Sequence, residues 1–207
     1  MKAEMTQTIK SDDDFDASDL RKLLQSLAPI PEKEWKVLEK NLEPHRFEPG
    51  EAIFRPNDVD ARIHYLQTGL VRYFYLTEDG KERNHAFAPE GGLVTCLPLF
   101  VGAGPCSFTA EALEPTVTIS IPYSIFQRAP NDDECWTLLK LRLLEYSIMR
   151  REQRVMEFLM DSAETRYRKF LAQYGDISSR LPQYHIASYL GITPVALSRI
   201  RKRINPG

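Results

Sequence analysis

The sequence is short of cysteine, of long apolar runs and, near its end, of acid. Cysteine occurs three times, at Cys96, Cys106 and Cys135. An odd count without framework spacing excludes a disulfide scaffold and fits a reducing, cytoplasmic setting. No apolar run approaches the roughly 18 residues needed to cross a bilayer. The opening "MKAEMTQTIKSDDDFD" is too polar for a secretory signal, so no membrane partner is expected. There is no Walker loop, no GxSxG and no catalytic His/Cys/Asp set. "GAGP" reads as a turn, and His45, His64 and His85 lack metal-ligand spacing. A cupin-type site needs His-x-His, which is missing, so neither an enzyme, a metal nor a cofactor is expected.

Acid is absent after Asp176, whereas five bases follow it: Arg180, Arg199, Arg201, Lys202 and Arg203. The whole chain has a formal charge of -2, yet residues 1–176 hold 22 bases against 29 acids, a balance of -7. A basic end on an acidic body suits a polyanion met at one place only. A second stretch lacks cations altogether: no Lys or Arg lies between Arg83 and Arg128.

The patterning predicts an α+β chain. Residues 1–14 read as a flexible acidic leader. Leu20, Leu23, Leu24 and Leu27 have helical spacing, and Pro31 opens a second helix, "PEKEWKVLEKNL", that Pro44 ends. Short runs rich in β-branched and aromatic residues follow: "EAIF", "RIHYLQ", "LVRYFYLT", "RNHAFA", "SFTAEAL" and "VTISIP". The Gly69 turn and "EDGK" resemble hairpin turns. Residues 15–130 therefore read as an antiparallel β-roll or jelly roll with flanking helices.

Residues 131–160 read as a long helix capped by "NDDE", with a hinge at Met160–Asp161. The helix is apolar on more than one face. Trp136, Leu139, Leu143, Tyr146 and Met149 would meet the same helix of a second subunit, making a homodimer. The alternative is burial within one subunit.

Residues 161–207 read as a helix-turn-helix domain. In "PQYHIASYLGITPVALSRIRKRI", Ile186, Ala187 and Leu190 face inward on a first helix that Gly191 ends. Thr193 caps a second helix, Pro194 sits in its first turn, and Leu197 and Ile200 face inward. Val195, Ser198, Arg199 and Lys202 are left on other faces. The alternative is a helical hairpin with a solvated basic side.

"LPQYHIASYLGITP" followed by "LSRIRK", downstream of a β-roll and a long helix, resembles the Crp/Fnr family of bacterial transcription regulators from about Ala17 onward. The resemblance implies a cyclic-nucleotide-binding-like sensor domain, a dimerising helix and double-stranded DNA as partner, with RNA polymerase as a further one. The family's base-reading positions fall on Val195, Ser198 and Arg199. A guanidinium at Arg199 can bridge O6 and N7 of guanine; the alternative is a phosphate contact. Gln183, Thr193, Arg201, Lys202 and Arg203 are expected on the DNA backbone, and His185 in packing. Family members often carry Glu where this chain has Val195, which changes the readable base. The sequence ends at Gly207, so no C-terminal wing is expected.

In nucleotide-binding relatives a Gly-Glu-Leu segment holds the ribose and an Arg-Ser or Arg-Thr pair the cyclic phosphate. The counterparts here are Thr95-Cys96-Leu97 and Cys106-Ser107, without the Glu and the Arg. A buried phosphate without a cation is costly, so cyclic AMP is not the expected effector. With Leu93, these residues (Thr95, Cys96, Leu97, Cys106 and Ser107) mark the candidate effector pocket. Cys96 and Cys106 read as inert buried thiols or as a redox pair. No cysteine precedes Cys96 to hold an iron–sulfur cluster. The competing reading is a sensor module whose helical tail binds protein rather than DNA.

Overall fold

Leu20 and Leu24 are fully buried on one stripe of α1 (Ser18–Leu27), as their spacing requires. The computed structural model describes residues 15–59, 62–127 and 134–204. The expected leader, the cap at 131–133 and the last three residues lie outside them. α2 (Glu32–Glu39) is shorter than expected. Pro44 does not end it but lies in the strand β1 (Glu43–Phe47), paired with Ile119. That strand is at a sheet edge, where a residue without an N–H is tolerated.

Among the described residues, eight strands form two four-stranded sheets. The others are β2 (Ala52–Phe54), β3 (Arg62–Thr68), β4 (Val71–Leu76), β5 (Glu82–Ala88), β6 (Leu93–Thr95), β7 (Thr109–Ala112) and β8 (Thr116–Pro122). The first sheet has the order β1-β8-β3-β6, the second β2-β7-β4-β5. Gly69 therefore joins strands of different sheets and is not a hairpin turn. Its φ is +104°, and an added Cβ would fall 2.3 Å from Thr116 Oγ1, so close approach demands glycine there. The "EDGK" turn does close a hairpin, β4–β5, with Thr77 N donating to Lys81 O at 2.9 Å. β6 and the five-residue helix α3 (Leu97–Val101) are too short to leave a period in the sequence.

α4 runs from Glu134 to Met160. Its first turns pack within the protomer, which corrects part of the expected dimer face. Trp136 is 2% exposed and Leu139 is fully buried. The Trp136 indole donates to Glu34 Oε2 at 2.8 Å, and its ring meets Phe126 edge-on. Leu143 is half-buried. Further along, Tyr146 and Met149 are exposed, as are Leu141, Ile148, Val155 and Met156.

Contacts divide the chain into two compact units. The first holds residues 1–72 and 87–147, and the second holds residues 73–86 and 148–207. The tip of the β4–β5 hairpin thus belongs with the C-terminal helices. These are α5 (Ala163–Tyr174), α6 (Gln183–Leu190) and α7 (Pro194–Ile204). Ser162 caps α5 by accepting from Thr165 N at 3.1 Å. Tyr167, Phe170, Tyr174 and Tyr189 form an aromatic core, with ring centroids 5.5 to 6.3 Å apart. On α7, Leu197 and Ile200 are buried.

Candidate nucleic-acid interface

The turn between α6 and α7 is built as the sequence suggests. Gly191 has φ +68°, Ile192 N donates to Ala187 O at 3.0 Å, and Gly191 N donates to Ser188 O at 3.1 Å. Thr193 Oγ1 accepts from Ala196 N at 3.2 Å and caps α7. With Leu197 and Ile200 held inward, the periodicity sends Val195, Ser198, Arg199 and Lys202 outward together, and all four are exposed. Neither helix contains an acid.

The remaining expected contacts are placed unevenly. Gln183 is exposed on the first turn of α6. Arg201 and Lys202 are exposed on the last turn of α7. Arg203 is also exposed, but its guanidinium bonds Glu164 Oε2 at 3.1 Å. The Thr193 hydroxyl is already engaged in its cap. His185 is 4% exposed and packs, while Tyr184 beside it faces solvent.

Two arginines outside the motif were not legible as part of this site. Arg154, on α4, donates to Tyr189 O, and Arg166, on α5, donates to Leu190 O at 3.1 Å. Both meet the final carbonyls of α6, where a cation complements the helix dipole. Arg154 also lies over the rings of Phe158 and Tyr189. In sequence they look like ordinary solvated charges on helix faces. Only the fold brings them to the turn.

In the β-roll, Cys96 and Cys106 are both buried and free of disulfide, and the Cys106 thiol donates to Phe108 O at 3.3 Å. Burial, then the Cys106 thiol, pushes the Cys96 thiol up to about 12, against reactivity at neutral pH. Thr95 Oγ1 lies 2.5 Å from the Tyr123 hydroxyl, which also donates to Cys96 O at 3.2 Å. Leu93 and Thr95 pair with Tyr65 and Ile63, on the opposite face of the sheet from Val94 and His64. Leu97 is half-buried and Ser107 is exposed.

The first sheet also carries a polar cluster that sequence spacing did not reveal. His45 and His64 come within 5.2 Å between ring centroids, because β1 and β3 flank β8. His45 Nε2 bonds Ser120 Oγ at 2.8 Å, and His64 Nδ1 bonds Thr118 Oγ1 at 3.0 Å. Arg62 donates to Glu43 at 2.8 Å. In the second sheet the buried Arg72 is held by Glu111 at 2.7 Å. No group of three or more metal-ligating side chains occurs among the described residues.

Residues 44–133 match the cyclic nucleotide-binding domain family. The chain is 29% identical over 161 residues to the nitrogen fixation regulation protein FixK of Rhizobium meliloti, covering 74% of this chain and 71% of that one. It is 27% identical over 173 residues to the fumarate and nitrate reduction regulatory protein of Vibrio cholerae, covering 74% of this chain and 65% of that one. The fold is shared with FixK2 from Bradyrhizobium japonicum, at TM-score 0.66, 20% identity, and coverage of 79% and 84%. It is also shared with the catabolite activator protein of Thermus thermophilus, at TM-score 0.53, 20% identity, and coverage of 88% and 86%.

Proposed function

We propose that the chain is a member of the Crp/Fnr family of regulators and acts as a homodimeric, DNA-binding transcription regulator rather than an enzyme. The observation that carries this reading is the exposed face of Val195, Ser198, Arg199 and Lys202 on the second helix of an acid-free helix-turn-helix. Arg199 reads a guanine edge, Ser198 contacts an adjacent base, and Val195 touches a thymine methyl. Gln183, Arg201 and Lys202 hold phosphates. Arg203 does so once Glu164 releases it.

Two copies join through α4. Leu141, Ile148 and Val155 recur every seven residues and are all exposed, a spacing suited to a helix pair. The two recognition helices then meet half-sites about one helical turn, roughly 34 Å, apart. Salt separates this reading from protein binding by the basic tail. Affinity for duplex DNA should fall steeply and linearly on a log–log plot against salt. A flat response would exclude the interface.

The β-roll answers an effector other than cyclic AMP. Among the described residues of the roll, the half-buried Arg62 and the buried Arg72 are already ion-paired to carboxylates. The hydroxyl of Thr95 is engaged by Tyr123. A cyclic phosphate would have to displace one of these pairs or be buried without a cation. Calorimetry with cyclic AMP should give no binding heat, and micromolar affinity would overturn the assignment.

A further inference from the structure

β5 is the edge strand of its sheet, and an edge strand leaves backbone N–H and C=O groups needing partners. A helix hydroxyl takes that place here. Ser188 Oγ, on α6, accepts from Asn84 N at 3.0 Å and donates to Glu82 O at 3.0 Å. One serine thereby satisfies the edge as a neighbouring strand would.

The Asn84 side chain completes the joint. It is 5% exposed, and its Nδ2 donates to His185 O at 3.2 Å and to His185 Nδ1 at 3.1 Å. In that second bond His185 Nδ1 is the acceptor. Asn84 Oδ1 is buried without a hydrogen-bond partner among the described residues. Buried among these groups, the asparagine amide fixes the geometry of the joint through the bonds it makes.

The same hairpin is anchored at its other end. Arg72, the last residue of the first unit before the chain passes into the second, is 5% exposed and fixed by Glu111. Tyr73 and Tyr75 then lie against His85, with ring centroids 5.6 and 4.9 Å away. β4 thus has side-chain contacts near both of its ends.

We propose that Asn84 is a positioning residue for the helix-turn-helix. With Ser188 it latches the β4–β5 hairpin to α6 and so fixes the helix from which the turn to α7 departs. This rests on the DNA-binding reading of α6 and α7. The latch itself is a separate physical claim.

The test uses the full chain with Ser188→Ala, Ser188→Thr, Asn84→Ala and the double alanine variant. Hydrogen exchange of the Asn84 amide is measured together with affinity for a duplex selected from genomic fragments by the wild type. Ser188→Ala should speed Asn84 exchange and weaken DNA binding about fivefold, the loss of one net hydrogen bond, with the salt slope unchanged. Ser188→Thr keeps the hydroxyl and should restore both. The double variant should be no worse than the worse single one. Unchanged Asn84 exchange in Ser188→Ala, or single effects that simply multiply in the double variant, would overturn the latch. If the wild type selects no duplex, the DNA reading falls, and the exchange data still decide the latch.

Discussion

Phe158 lies directly against the turn at Gly191: a Cβ added to that glycine would come within 2.8 Å of the ring's Cε1. Two constraints therefore coincide at one residue, a left-handed backbone at φ +68° and a side chain from α4. Gly191→Ala should destabilise the protein by about 2 kcal/mol. Gly102 supplies the comparison. Its φ is +70°, but nothing lies within 4 Å of its added Cβ, so Gly102→Ala carries the backbone cost alone. Urea midpoints of the two variants should differ, with Gly191→Ala lower. Equal midpoints would mean that the ring moves aside freely.

The two ends of α4 should respond differently to substitution. Met149→Glu places a charge on an exposed apolar face and should shift the dimer to monomer in sedimentation. Trp136→Phe removes a donor from the buried Glu34 and should lower stability by about 1–3 kcal/mol while the dimer persists. A monomeric Trp136→Phe protein would return that residue to the subunit interface.

Acid should weaken the β-roll through His64. Burial, then the neighbouring His45 and Arg62, holds its pKa down near 3, against about 6.5 when unfolded. The unfolded chain therefore binds the extra proton first as pH falls. The contribution of neutral His64 is fully present above pH 6.5 and is lost as pH drops toward 3, by up to about 1.4 kcal/mol per unit. His64→Gln should flatten this part of the stability profile between pH 7 and 4. An equally steep profile in the variant would assign the acid sensitivity elsewhere.

The α6–turn–α7 segment was legible because each of its residues answers a local demand. Gly191 ends one helix, Thr193 caps the next, and Leu197 and Ile200 mark the inward stripe. Local demands also gave most strands and the "EDGK" hairpin. Features that depend on distant partners were not legible. Pro44 resembles a helix stop until β8 is beside it, and Gly69 resembles a hairpin until Thr116 crowds it. Trp136 looks like an interface residue in a helix apolar all round, and only the presence of Glu34 shows why it turns inward. His45 and His64 are far apart in sequence, and the strand order alone brings them together.

The central claim, that α7 reads DNA bases, is tested most directly by sequencing the genomic fragments that the purified protein retains, for the wild type and for Arg199→Ala. The wild type should enrich a two-fold-symmetric site with half-sites about one turn apart. Arg199→Ala should lose about 1–3 kcal/mol of affinity and relax the preference at one base pair in each half-site. Identical affinity and an identical enriched sequence in the variant would contradict the account.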